Sequence, residues 1–217
     1  MFTVIVPAYN EEKNLGEFLG KLTKKAKCII VVDDGSTDKT YSIAKKFKVR
    51  VIRHKSNMGK SQAVATGIKT AKTEDLVLID GDDQLSPDYI PAFVDELKRC
   101  DLVIGNRFLA GVKFPFHRLL ANFLMAKLVS LRISEVGDPL NGLRAFRRSK
   151  FTDLGGDGFK ADLEMLFKAK KKGLRICELP VSADYSIQKQ LNLADYVTKG
   201  FRYFQILLQA IGFLLES

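Results

Sequence analysis

The chain has 217 residues, enough for one domain with a central sheet covered by helices on both faces. No Ser/Gly-rich linker and no repeat of about 20–50 residues divides it, which argues against a second compact domain and excludes a solenoid. Its 35 Lys and Arg against 25 Asp and Glu leave a formal charge of +10, so an anionic partner is expected: nucleic acid, a phospholipid surface or a phosphorylated substrate.

The first residues, Met1-Phe2-Thr3-Val4-Ile5-Val6-Pro7, enter a strand directly, and no signal peptide is expected. Apolar runs then predict strands at Thr3–Pro7, Cys28–Val32, Val49–His54, Leu76–Asp80 and Leu102–Gly105. Between them lie helical patterns over Glu12–Ala26, Asp38–Phe47, Ser61–Ala71 and Pro87–Arg99. Such alternation predicts an α/β fold, a mostly parallel sheet wound on both faces.

The second half is less regular. Arg118 opens an apolar helix over Leu119–Leu131, and the turn cluster Gly137-Asp138-Pro139-Leu140-Asn141-Gly142 precedes Leu143–Phe146. A helix starting near Phe159-Lys160-Ala161-Asp162 ends on the basic turn Lys170-Lys171-Lys172-Gly173, and a last strand covers Arg175–Leu179. Leu193, Val197, Phe201, Phe204, Leu208, Ile211 and Leu215 then mark one face of a terminal amphipathic helix too short to span a bilayer. It is expected to lie on the protein's own core, on a second subunit or on a membrane interface, where Lys189, Lys199 and Arg202 suit lipid phosphates. The expected division is residues 1–190 as the catalytic domain and 191–217 as that helix. Cys28, Cys100 and Cys177 are far apart in apolar surroundings, and read as small buried hydrophobes of a reducing compartment rather than disulfides or zinc ligands.

Chemistry concentrates where predicted strands end. Asp80-Gly81-Asp82-Asp83-Gln84 follows a buried strand and delivers hard oxygen ligands to the sheet edge, suited to Mg²⁺ or Mn²⁺ holding substrate phosphates. Gly81 is expected to let a phosphate or sugar approach the backbone. A calcium loop of EF-hand type fails, since the sixth position from Asp80 is Leu85 and the twelfth is Pro91. Asn57-Met58-Gly59-Lys60-Ser61 is no P-loop either, because His54 stands where that motif needs its first glycine. Lys60 remains a candidate for a phosphate or a solvated turn. After the first two strands, Tyr9 offers a ring to stack on a base and Asp33 and Asp34 offer carboxylates to its N–H groups, while Ser36, Thr37 and Asp38 suit helix capping. Arg107 follows the fifth strand, and with Arg118 suits phosphate oxygens.

Taken together, Val4-Ile5-Val6-Pro7-Ala8-Tyr9-Asn10-Glu11-Glu12, Val32-Asp33-Asp34-Gly35-Ser36-Thr37-Asp38, Asn57-Met58-Gly59-Lys60, Asp80-Gly81-Asp82 and Asp138-Pro139-Leu140-Asn141-Gly142 resemble family 2 glycosyltransferases of the GT-A fold. More narrowly, they resemble the dolichyl-phosphate mannose or glucose synthase branch, over Thr3 to about Leu193. The resemblance implies that Pro7, Ala8, Tyr9, Glu11, Val32 and Asp34 hold the nucleoside, and that Lys60 and Gly81 also border the donor. It implies a D-x-D-x-Q metal site at Asp80, Asp82 and Gln84, with Asp83 a non-ligand, and phosphate contacts from Arg107, Lys160 and Arg118. The implied reaction moves a hexose from a GDP-mannose, UDP-glucose or UDP-GlcNAc type donor to a polyprenyl phosphate, with inversion and no strong general base. Peripheral attachment at the cytoplasmic face of a membrane, or a membrane partner subunit, is implied, and nucleic acid is not.

Ser186-Ile187-Gln188-Lys189-Gln190 departs from the branch's basic, Gly-containing loop, and the absence of Trp rules out the Q-x-x-R-W of processive synthases. Two rival readings keep the fold: a soluble family 2 enzyme acting on a sugar or protein hydroxyl, with Asp162 or Glu164 as base, and a non-catalytic nucleotide-sugar-binding subunit. A sugar nucleotidyltransferase is disfavoured, because Pro7-Ala8-Tyr9-Asn10-Glu11 contains no glycine.

Overall fold

The computed structural model describes residues 1–111, 126–127, 136–155 and 161–183. Seven strands make one sheet: β1 (Phe2–Ala8), β2 (Ile29–Asp33), β3 (Arg50–Arg53), β4 (Asp75–Leu78), β5 (Leu102–Asn106), β6 (Arg144–Arg147) and β7 (Ile176–Pro180). Their order is β3-β2-β1-β4-β6-β5-β7. Every neighbouring pair is parallel except those of β6, which runs antiparallel to both β4 and β5. The apolar run that predicts β6 carries no information on direction. The sheet's order reverses at β1, which has β2 on one side and β4 on the other. In open α/β sheets that reversal opens a crevice beyond the C-terminal ends of the strands, here after Ala8 and Leu78.

Five helices are described: α1 (Leu15–Leu22), α2 (Thr40–Ala44), α3 (Lys60–Thr70), α4 (Ile90–Glu96) and α5 (Ala161–Lys171). They cover both faces, as the sequence pattern predicts. Successive strand residues point to opposite faces. Ile5, Ile30 and Val32 therefore join one core with Val64 and Ile68 of α3 and Met165 and Leu166 of α5. Val4, Val6 and Val31 join the other, with Phe18 and Leu22 of α1 and Ile90 and Phe93 of α4. Each such fully buried side chain contributes about 1.5–3 kcal/mol of burial free energy. A short 3-10 turn, Pro87–Tyr89, leads into α4, and the Ser86 hydroxyl caps it by accepting from the Asp88 N–H at 3.2 Å.

The cysteine expectation is overturned for two of three residues. Cys100 and Cys177 are joined by a disulfide, with Cα atoms 6.1 Å apart and a sequence separation of 77. The parallel pairing of β5 with β7 brings Cys177 opposite Val103, a neighbourhood that spacing along the chain does not reveal. Cys28 is free and half-buried. Among the described residues no helix is long and apolar enough to cross a membrane. Of the helix expected over Leu119–Leu131 only residues 126–127 are described, and they are helical; residues 191–217 and Ser186–Gln190 lie outside the described residues.

Candidate active site

The loops leaving β1 and β2 are sewn together by short polar side chains. Asn10 adopts φ 55°. Its N–H donates to Ser36 Oγ at 3.0 Å, and its Oδ1 accepts from the Thr37 N–H at 2.9 Å. The Glu11 N–H donates to Thr40 Oγ1 at 2.7 Å. Asp33 is fully buried, accepts from the Ser36 N–H at 3.1 Å and pairs with Arg53 Nε at 3.0 Å. It is therefore a structural carboxylate. Asp34 reaches the next loop instead, accepting from the Met58 N–H at 3.0 Å, the Gly59 N–H at 2.8 Å and His54 Nδ1 at 2.7 Å.

These loops enclose a cavity of about 320 Å³ at the crevice, lined among others by Pro7, Ala8, Tyr9, Glu11, Asp34, Lys60, Asp80, Gly81 and Asp82. Three of its acids carry more negative charge than the site balances. Burial, reinforced by the charge of Asp82, raises the Glu11 carboxyl to about 7. Burial and the neighbouring Asp80 raise Asp82 to about 6. Lys60 is the cation among the described residues that line the cavity, placing its ammonium 2.8 Å from Asp80 Oδ1 and 3.3 Å from Asp162 Oδ2. Burial disfavours its charge, but Asp162 and Asp80 outweigh that and hold it above the usual lysine range. A solvated turn lysine it is not.

The turn cluster before β6 builds the opposite wall. A Cβ on Gly142 would collide with Asp80 Oδ2, so glycine there lets the carboxylate sit against the backbone. Arg144, at the start of β6, is fully buried. Its guanidinium donates to the carbonyls of Pro139 at 2.6 Å, Asp162 at 2.7 Å and Asn141 at 3.2 Å, and lies 3.6 Å from Asp162 Oδ1. Asp162 at the start of α5 is thus tied to β6 on one side and, through Lys60, to Asp80 on the other.

Several expected site residues stand elsewhere. Val32 is fully buried in the core under α3, so its side chain supports the pocket and does not line it. Gly81 borders the cavity, and Val6 and Leu15 lie 3.2 and 3.3 Å from where its Cβ would be, so a side chain there would also press on the core. Gln84 is half-buried beside the cavity lining, and its backbone N–H donates to Asp82 Oδ1 at 3.2 Å. Asp83 turns away, with φ 58°, to pair with Lys21 at 2.7 Å, which fits a non-ligand. Arg107 clasps buried Asp138 through Nε at 2.6 Å and a terminal nitrogen at 2.7 Å, outside the cavity lining. Glu164 is committed to the Gly155 N–H at 2.9 Å and Lys168 at 2.9 Å, which separates it from Asp162 as a candidate base. Arg118 and Lys160 lie outside the described residues. The roles of His54 and Arg144 were missed, and Asp138 was noted only as part of the turn cluster. The one available signal was their position after predicted strand ends or in the turn cluster at the same edge.

Residues 3–155 match the model of the glycosyl transferase family 2. The chain belongs to that family. This glycosyltransferase is 35% identical to uncharacterized protein MJ1222 of Methanocaldococcus jannaschii, over 96% of its own length and 91% of the relative's. It is 32% identical to a dolichol-phosphate mannosyltransferase of Pyrococcus furiosus over 82% of its length, which spans 55% of that protein. Glucosyl-3-phosphoglycerate synthase of Mycobacterium tuberculosis, solved with Mn²⁺, UDP and glucosyl-3-phosphoglycerate, superposes with a TM-score of 0.78 at 21% identity, covering 98% of this chain and 80% of that one. At that identity the likeness shows the GT-A fold of the glycosyltransferase.

Proposed function

We propose that this glycosyltransferase moves a hexose from a nucleoside-diphosphate sugar to a polyprenyl phosphate, with a divalent metal at the donor diphosphate. The observation that carries this is the acid cluster Glu11, Asp80 and Asp82 in one cavity with Tyr9 and Asp34, only partly offset by Lys60. Carboxylate oxygens in excess of cations suit Mg²⁺ or Mn²⁺, which Asp80 and Asp82 would hold, with Gln84 as the third ligand that the family pattern implies. Bound there, the ion supplies Lewis-acid stabilisation of the leaving diphosphate.

The remaining work falls to the protein. Tyr9 stacks on the base and Asp34 accepts from its N–H edge. Lys60 meets the diphosphate. An acceptor phosphate monoester has a second pKa near ~6, so at neutral pH its oxygen is already a nucleophile. It attacks the anomeric carbon as the diphosphate leaves from the opposite face, inverting that centre. Asp162 then acts by holding Lys60. Its carboxylate is engaged by Lys60 and lies 3.6 Å from the Arg144 guanidinium, which disfavours it as the base that a hydroxyl acceptor would need. Arg107 fastens Asp138 and the turn cluster, and the acceptor phosphate is assigned to Arg118 and Lys160.

The dolichol-phosphate mannosyltransferase name of the Pyrococcus furiosus relative supports the lipid acceptor. The chain's basic charge supports a peripheral position on an anionic membrane. Assays with a nucleotide-sugar and either a short-chain polyprenyl phosphate or free sugars test the reading. Glycosylated lipid phosphate is expected, and transfer to sugars alone would overturn it.

A further inference from the structure

Asp34 lines the donor cavity, yet three of the roughly four acceptor positions of its carboxylate are already used. Oδ1 accepts from His54 Nδ1 at 2.7 Å and from the Met58 N–H at 3.0 Å. Oδ2 accepts from the Gly59 N–H at 2.8 Å. One position, on Oδ2, remains for a ligand. The arrangement is fastened from three sides. His54 closes β3 and is mostly buried, its Nε2 lies 2.9 Å from Thr66 Oγ1 on α3, and Gly59 adopts φ 90° at the start of that helix. A carboxylate cannot donate, so His54 Nδ1 carries the proton of that bond.

Nucleobases differ in how many donors they present to such a group. Guanine offers N1–H and the N2 amino group side by side, a pair that a carboxylate reads with both oxygens. Uracil offers N3–H alone between two carbonyls. Cytosine has the same ring size, but its donor is the N4 amino group and it places an acceptor at N3, where uracil has its N–H. Tyr9, 44% exposed at the mouth, stacks on any of these rings and does not choose.

We propose that the donor pocket selects uracil nucleotides over guanine nucleotides, because Asp34 has a single acceptor position left and His54 is the positioning residue that fills another. The inference rests on the donor-site reading above and narrows it to a UDP-sugar. Sites built to pair a particular N–H reject analogues that lack the match or leave a donor unpaired.

Calorimetric titration of the full chain with UDP, CDP and GDP, each with Mn²⁺, tests this. UDP is expected to bind at least tenfold more tightly than either of the others. GDP binding as well as UDP, or CDP binding as well as UDP, overturns the base assignment and leaves the donor site standing. Failure of all three nucleotides to bind overturns the donor site itself, and this inference with it. His54→Leu, which frees a position on Oδ1, is expected to shrink the UDP-to-GDP ratio at least threefold, whereas His54→Asn, which keeps an N–H donor where Nδ1 stood, restores it. An unchanged ratio in a folded His54→Leu protein overturns the role of His54.

Discussion

Two groups of acids gather at the C-terminal edge of the sheet, and they meet their charge differently. Around the turn cluster, Asp138 is clasped by Arg107, Glu178 accepts from the N–H groups of Gly137 and Asp138 and from Asn106, and Glu164 pairs with Lys168. Across the crevice, Glu11, Asp80 and Asp82 crowd together while Lys60 pairs with Asp80, and the carboxyls of Glu11 and Asp82 are pushed up to about 7 and about 6. The first group spends its charge on holding chain segments in place. The second keeps charge unbalanced, which costs stability and leaves oxygen ligands ready for a cation.

The largest test of that contrast is Asp82→Ala. Turnover is expected to fall by about a thousandfold or more, the equivalent of roughly 4 kcal/mol of transition-state stabilisation, while the urea midpoint holds or rises. Unchanged activity would remove Asp82 from the metal site. On the balanced side, Arg144→Met leaves Asp162 without its buried partner and should cost about 3–5 kcal/mol in denaturant unfolding. A loss below about 1 kcal/mol would show that the buried guanidinium does not hold that wall. Reduction of the Cys100–Cys177 disulfide, which closes a long loop between α4 and β7, should cost about 2–4 kcal/mol by the same measurement.

Stability against pH sharpens the comparison further. In the folded metal-free protein Glu11 titrates near 7 rather than at its ordinary 4.5. The stability this contributes is fully present below pH 4.5 and is lost as pH rises through about 7, because the folded state holds a proton that the unfolded state has released. Asp82, raised to about 6, acts in the same direction. Melting temperature without metal should therefore drop across this range, and Mn²⁺ should reverse the trend; a rise without metal would contradict the charge excess. The smallest effect is expected for Glu164→Gln, about 1 kcal/mol of stability with turnover within about twofold, since its carboxylate serves Gly155 and Lys168.

Much of the cavity lining was legible in the sequence because it is local. Tyr9, Glu11, Asp34, Asp80 and Asp82 each follow a predicted strand, and the strands of a parallel sheet end on one edge. Asp83 was set aside as a non-ligand, and its salt bridge to Lys21 agrees. Residues whose role depends on a distant partner were misread or missed. That Gly81 also packs against Val6 and Leu15 is not visible in the sequence. His54 served only to reject a P-loop, although it stands between Asp34 and Thr66. Cys100 and Cys177 carry no motif, and their bond exists because β7 lies beside β5.

By itself the sequence determined the alternation of elements, the two-faced core and the presence of acids at strand ends. Hydrophobic period and strand-end chemistry are properties of neighbouring residues. Only the tertiary structure decided that β6 enters antiparallel between β4 and β5, carrying Arg144 to Asp162 and Gly142 to Asp80. It likewise decided which acids are paired and how many acceptor positions Asp34 has left. Charge balance and hydrogen-bond saturation depend on distances of a few ångströms between residues up to a hundred apart in sequence, and the fold alone sets those distances.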